Sequence, residues 1–178
     1  MKCPKCRSPS LVPTKLEEGL PAMGCRQCEG VLVSLLYYRD WSERDTPLSD
    51  VAPAELAGPE DKDTKFALTC PKCARVMTKY QITGEYTNRL DICTSCDEAW
   101  IDSGEWALLK SLQLARELPT IFRDTWQKKI TRDVSEKQRF ERLAQQVGAE
   151  DAARAREIRE WLEGHASKAT IVRYIGFE

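Results

Sequence analysis

The apolar residues change their spacing along the chain, and each change predicts a different kind of element. Residues 76–92, "VMTKYQITGEYTNRLDI", hold two short strand-like runs, Val76–Ile82 and Leu90–Ile92, around a turn rich in Thr, Gly and Asn, which predicts a β-hairpin. Residues 42–65, "SERDTPLSDVAPAELAGPEDKDTK", keep no apolar period. With Pro47, Pro53 and Pro59 and a surplus of acids they read as an extended acidic linker. After Asp102 the spacing becomes helical. Asp102 as N-cap with Glu105 as its capping-box partner predicts a helix through "EWALLKSLQLAREL" that Pro119 stops. A second helix starts at that proline with Phe122, Trp126 and Ile130 on one stripe. A third has Ser135 and Gln138 as a capping box, Phe140, Leu143, Ala144 and Val147 on one face, and Gly148 as its stop. A fourth, from about Asp151 to Gly164, would bury Ala155, Ile158 and Leu162, and the β-branched tail "TIVRYIGF" reads as a strand or extended segment.

Composition narrows the class. Lys and Arg number 27 against 28 Asp and Glu, a balance unlike that of a dedicated nucleic-acid binder. The opening "MKCPKCRSPS" carries no apolar stretch after its basic residue, and the longest apolar run, "VLVSLLYY", is far short of the roughly 20 residues a membrane span needs. Both point to a cytoplasmic protein with no membrane association. There, cysteine pairs serve metals or redox chemistry more often than structural disulfides.

Cysteine carries the strongest chemical signal. All eight residues fall into C-x-x-C pairs: Cys3 with Cys6, Cys25 with Cys28, Cys70 with Cys73, and Cys93 with Cys96. The pairs form a repeat, with 18 residues between Cys6 and Cys25 and 19 between Cys73 and Cys93, and "CPKC" opens both copies. Such spacers are those of four-cysteine zinc sites. Two knuckles facing each other make a tetrahedral S₄ cage, and zinc suits it because it is soft enough for thiolate and redox-inert. The expectation is therefore two zinc ions, one held by Cys3, Cys6, Cys25 and Cys28 and the other by Cys70, Cys73, Cys93 and Cys96. Iron would fit the same cage and would colour the protein. A thiol–disulfide oxidoreductase is the redox alternative, but such enzymes set one C-x-x-C in a βαβ context that is missing here.

The ending "CTSCDEAWIDSGEW" resembles that of the TFIIB-type zinc-ribbon family of small, mostly prokaryotic proteins. Cys93 and Cys96 match the family's cysteines, Trp100 its tryptophan, Ile101 its aliphatic position, Asp102 its aspartate, and Gly104 with Glu105 its closing pair. Glu98 stands where the family has glycine, which implies an altered turn after the knuckle. "CRQCEGVLVSLLYY" keeps Gly30 but has Leu32 in place of the tryptophan and lacks the acids, so the first copy looks degenerate. The resemblance covers residues 1–36 and 66–110. It implies zinc binding and a link to transcription, and fixes no activity.

Other candidates weigh less. Asp102 and Glu105 beside a metal suggest acid–base chemistry, but four cysteines leave no open position on it. Trp100 reads as a packing residue, Trp106, Trp126 and Trp161 as core at helical spacing with an exposed partner anchor among them as the alternative, and His165 as a helix C-terminal cation or a plain surface residue. The basic residues Arg123, Lys128, Lys129, Arg132, Arg139 and Arg142 form a candidate contact surface for nucleic acid or a protein, although interleaved acids suggest helix ion pairs. Lys2, Lys5, Arg7, Lys72 and Arg75 flank the cages and would offset their negative charge.

The sequence thus predicts a small zinc-stabilised β protein with an all-α C-terminal region. Residues 1–41 form a degenerate zinc ribbon, 42–65 an acidic linker, 66–104 a second ribbon and 105–178 helices. The function expected is non-enzymatic interaction with a protein partner, transcription-associated through the family resemblance. Nucleic-acid binding through residues 123–142 is the alternative.

Overall fold

The computed structural model describes residues 1–7, 9–44, 47–49 and 64–176. The chain forms two compact units, Met1–Ile130 and Thr131–Glu178, a division that falls inside the predicted helical region.

In the first unit, β1 (Val12–Glu17), β2 (Leu20–Gly24), β3 (Val31–Ser34), β4 (Thr78–Gln81), β5 (Arg89–Cys93) and β6 (Glu98–Ile101) build one antiparallel sheet in the order β1-β2-β3-β6-β5-β4. Each half of the repeat supplies three consecutive strands and then a helix, α1 (Leu35–Ser42) or α2 (Glu105–Ser111). The halves join through β3 and β6, where Val31 faces Ile101, Leu32 faces Trp100 and Val33 faces Ala99. Aligning Cys25 with Cys93 and Cys28 with Cys96 makes Leu32 the counterpart of Trp100, Val31 of Ala99 and Val33 of Ile101. The pairing is thus reciprocal, and an approximate two-fold axis passes through the Leu32–Trp100 pair.

Alternation along the strands sorts side chains to the two faces of the sheet. Leu32 and Trp100 join Leu11, Leu68, Met77 and all the cysteines except the exposed Cys73 in one cluster. Val33, Ala99 and Ile101 join Leu20, Ile82, Leu90 and the helix residues Leu35, Tyr38, Trp41, Trp106 and Leu109 in the other. Each such fully buried aliphatic or aromatic side chain contributes about 1.5–3 kcal/mol. Leu35, Tyr38 and Trp41, three apart in α1, put one helical stripe on the sheet.

The exposed edge of β4 is closed by side chains. Gln127 donates from Nε2 to the Gln81 carbonyl at 2.9 Å and accepts from the Gln81 N–H at 3.2 Å, as a neighbouring strand would. Trp126 Nε1 donates to the Ile82 carbonyl at 3.1 Å. Two buried carboxylates hold the chain on either side of residues 50–63. Glu17 accepts from the N–H and hydroxyl of Ser49 at 3.1 and 2.8 Å, and Asp102 accepts from the Thr64 N–H at 2.7 Å. Most of the predicted linker, residues 45–46 and 50–63, lies outside the described residues.

Several helical expectations are corrected. Gly104, at φ +86°, caps α2 in place of Asp102, while Glu105 Oε2 still accepts from the Asp102 N–H at 2.8 Å, one arm of the capping box. α2 stops at Ser111, well before Pro119. Gln113 takes the left-handed conformation, its N–H bonds the Lys110 carbonyl, and the Leu114 N–H bonds the Leu109 carbonyl at 2.7 Å. This Schellman ending turns Leu114, Ala115 and Leu118 back onto the core. The short α3 (Leu118–Ile121) follows, with Pro119 in its first turn. Ser135 caps nothing, since the second and third predicted helices are one, α4 (Asp124–Val147), with no Pro or Gly to interrupt it.

In the second unit α4 turns at Gly148, φ +89°, into α5 (Ala149–Glu163), followed by α6 (Lys168–Ile175). Arg159 meets Glu136 at 3.0 Å and the Arg156 guanidinium lies 4.5 Å over the Phe140 ring, so α4 and α5 run antiparallel. The predicted burial of Ala155 and Ile158 fails: both are exposed, and Ala152 takes the packed position. The tail is helical, and a helix satisfies its backbone groups locally. Trp161, expected in a core, is 56 % exposed.

Candidate metal centres

Each cysteine pair sits on a tight turn built the same way. The residue after the second cysteine of every pair is left-handed: Arg7, Glu29, Ala74 and Asp97, with φ between 56° and 63°. In three of the four knuckles this residue also donates its N–H to the first cysteine's carbonyl, from Arg7 to Cys3, Glu29 to Cys25 and Ala74 to Cys70, at 2.8–2.9 Å. The knuckle before Glu98 keeps the left-handed residue, Asp97, but differs in its closing bond, which runs from the Cys96 N–H to the Cys93 carbonyl at 3.3 Å. Asp97 shares its positive φ with Glu29, which donates to the Cys25 carbonyl in the first half.

The knuckles bring the eight thiols into two groups, Cys3, Cys6, Cys25 and Cys28, and Cys70, Cys73, Cys93 and Cys96, with the sulfurs of each group within 4.8 Å of one another. Sγ of Cys3 lies 3.7 Å from that of Cys28, Cys25 lies 4.0 Å from Cys6, and Cys73 lies 3.6 Å from Cys93. A tetrahedron with Zn–S bonds of about 2.3 Å has edges of about 3.8 Å, so both groups are at metal-binding distances. They are far from the 2.05 Å of a disulfide, and all eight cysteines are free.

The electrostatics of the groups call for a cation. Burial pushes the Cys3 thiol up to about 11 and raises Cys28 and Cys70. Competition with Cys73, then burial, push Cys96 up to about 12. Burial works against Cys25 too, but backbone N–H groups of Cys28 and Gln27 more than offset it and bring the thiol down to about 7. Cys73 comes down to about 7 through the Arg75 backbone N–H and the Cys96 thiol. Each group thus favours one thiolate at the expense of its neighbours, because like charges at these distances repel. Four thiolates together need a divalent ion. The donor set, spacing and closed coordination fit zinc, and they leave no position for a substrate.

The other candidate residues have partners within the fold. Asp102 is 3 % exposed and accepts from Trp100 Nε1 at 2.9 Å, from Lys5 Nζ at 3.2 Å and from the Thr64 backbone. It ties the first half's "CPKC" turn to the second half's third strand. Lys72, the counterpart of Lys5, pairs with Glu98, and Arg75 donates to Ser95 Oγ at 2.6 Å. His165 is exposed, with Nδ1 accepting from the Ser167 N–H at 3.0 Å.

The candidate contact residues divide. Arg123, Lys128 and Lys129 are exposed in the first unit, Lys129 lying 6.0 Å from the Trp126 ring. In the second unit Arg132 lies beside Asp133, while Arg139 and Arg142 line a cleft with Arg156 and Arg159. Arg156 and Arg159 follow the basic stretch in the sequence, and the α4–α5 hairpin brings them beside Arg139 and Arg142. Among the described residues no helix is long and apolar enough to cross a membrane.

Neither a protein-family model, nor a curated protein, nor a solved structure matches the chain.

Proposed function

We propose that the protein is a non-enzymatic interaction module in which two structural zinc ions hold a pair of ribbons fused through their third strands, and the C-terminal helices meet a protein partner. The observation that carries this reading is the thin core of the second unit. Among its described residues only Ala152 is buried, while Ile158, Trp161, Val172, Tyr174 and Ile175 are about half or more exposed. A helical segment of this length that buries so little apolar surface gains little stability of its own, and exposed aromatic and aliphatic side chains on it are the material of protein interfaces. The role of zinc is structural, since four thiolates close each site. The link to transcription rests on the family resemblance alone.

The test uses the zinc-loaded full chain as bait in extract from its own cells, beside an I158S/W161S bait. The reading expects a discrete set of proteins on the first bait and its loss from the second. Identical captures on both baits, or nucleic acid as the sole bound material at physiological salt, would overturn it. Metal analysis of the purified protein should give two zinc per chain, and a strong visible absorption would indicate iron instead.

A further inference from the structure

We infer that the cleft between α4 and α5 is the docking site for an acidic, amphipathic helical segment of that partner, an inference that rests on the protein-binding reading above. The cleft measures about 580 Å³, within the range of clefts that take ligands. Arg139 and Arg142 from α4 and Arg156 and Arg159 from α5 line it together with one carboxylate, Glu136, and Phe140 and Leu143 provide an apolar floor. Of the four guanidinium groups, only Arg159 meets carboxylates among the described residues, at 3.0 Å from Glu136 and 3.2 Å from Glu163. Arg142 donates Nε to the Gln138 carbonyl at 3.3 Å and Arg156 stacks on Phe140, which fixes its guanidinium without neutralising it. The i,i+4 ion pairs that balance charge elsewhere, such as Glu150 with Arg154, leave Arg139, Arg142 and Arg156 without a carboxylate among the described residues.

Three occupants compete for such a cleft. A second copy of this chain would bring the same arginines against one another across a symmetric interface, a repulsion that works against self-association. Nucleic acid is drawn by the long-range field of a basic domain, yet acids and bases balance over residues 131–178. It would also leave the apolar floor half used. A helix with leucines on one stripe and glutamates flanking it satisfies both the floor and the unpaired guanidiniums, the helix-in-groove mode with charge complementarity added.

The probe is a synthetic, fluorescein-labelled peptide of about five helical turns, roughly 18 residues, with leucine at i, i+3, i+4 and i+7 and glutamate beside that stripe. Fluorescence anisotropy measures its binding to the zinc-loaded full chain, to R139Q/R142Q/R156Q and to the control R132Q/R154Q, whose arginines lie on the same helices outside the cleft. Saturable binding is expected that weakens with added salt, about tenfold or more in the triple variant and little in the control. A peptide with lysine in place of glutamate reads the same charge requirement on the unaltered chain and should bind at least tenfold more weakly, which keeps the test decisive if the triple variant misfolds.

Equal binding of the glutamate and lysine peptides, no binding of the glutamate peptide at low salt, or tighter binding of an oligothymidylate would overturn the assignment. So would a dimer in sedimentation equilibrium that the triple variant abolishes. If the peptide arm fails while I158S/W161S still strips proteins from the bait, the cleft assignment falls and the protein-binding reading stands.

Discussion

The Trp100 ring occupies the space that a side chain on Gly30 would need: a Cβ there would lie 2.3 Å from Trp100 Cζ2. Gly30 belongs to the first half and Trp100 to the second, and their positions relative to the closing cysteines are those of Glu98 and Leu32 in the opposite halves. The departures of the two copies from each other are therefore one arrangement. Both strands carry their axial residue to the same point, where Leu32 faces Trp100, and the single large ring lies over the first half's glycine. With the smaller Leu32 opposite, position 98 is free of that demand and holds Glu98, which pairs with Lys72. Lys5 draws on Asp102 instead, and the position corresponding to Asp102 in the first half is Ser34, which has no charge to offer Lys72. The first copy is complementary to the second.

This predicts a coupled pair of substitutions. Gly30→Ala alone forces the ring or the strands apart and should cost about 2 kcal/mol, the scale of overpacking a dense core. Trp100→Leu alone costs several kcal/mol through lost burial and a cavity. In the Trp100→Leu background the alanine should cost little, giving a coupling above about 1 kcal/mol by urea denaturation of the zinc-loaded proteins. Equal costs in both backgrounds would show that the ring does not set the identity of residue 30.

The cysteine groups were legible because each half-site is local: C-x-x-C spacing fixes a turn, and the matched spacers fix which turns meet. The helix after Asp102 was legible through Glu105. The fusion of the two halves was not, because β3–β6 pairing is a long-range contact whose sequence trace, Leu32 in place of tryptophan, reads as decay until Trp100 is seen opposite. α1 was missed because Ser34 makes no side-chain cap bond and its run is apolar on most sides. The end of α2 was missed because the left-handed residue is Gln113, where a sequence reader looks for glycine. The arginine cleft takes six of its nine lining residues from α4 and three from α5, and only the turn at Gly148 brings the two sets together.

Metal removal should act on the whole first unit, since cysteines of both groups, Leu32 and Trp100 share one cluster. A structural zinc contributes on the order of 10 kcal/mol in small metal-dependent domains, more than a typical domain's net stability. Cys28→Ser or Cys96→Ser should each lower zinc from two ions per chain to one and destabilise the sheet as a unit. Full chelation should red-shift the emission of Trp41, Trp100 and Trp106, which are 1, 0 and 8 % exposed. Two independent unfolding transitions in a single-site variant, each tracking its own metal group, would contradict the shared core.

The left-handed knuckle residues offer a stabilising change. An L-residue in that conformation costs about 1–2 kcal/mol, while glycine costs about 0.5–1 kcal/mol of extra chain entropy on folding. Ala74, at φ 60°, has no side-chain hydrogen bond to recover that cost. Ala74→Gly should therefore gain up to about 1 kcal/mol, seen as a Tm a few degrees higher and slower zinc loss to a chelator. A lower Tm with intact zinc content would show that the backbone there is unstrained.

Glu17 sets a pH dependence whose direction follows from its partners. Burial alone would raise its carboxyl, but Trp106 Nε1 at 2.8 Å, Lys110 Nζ at 3.0 Å and the Ser49 N–H and hydroxyl more than offset it and hold it below the ordinary glutamate value. A carboxylate depressed in the folded state stabilises fully above the unfolded glutamate range, near pH 4.3, and that contribution disappears as pH falls through the depressed value. Glu17→Gln leaves the buried Lys110 ammonium without its carboxylate, so at neutral pH it should cost about 2–3 kcal/mol. The deficit should shrink as the pH is lowered through about 4, measured as the difference in urea midpoint between the two proteins so that the acid lability of the metal sites, common to both, cancels. A deficit that stays constant across that range would mean that Glu17 acts through its shape and hydrogen bonds alone, without its charge.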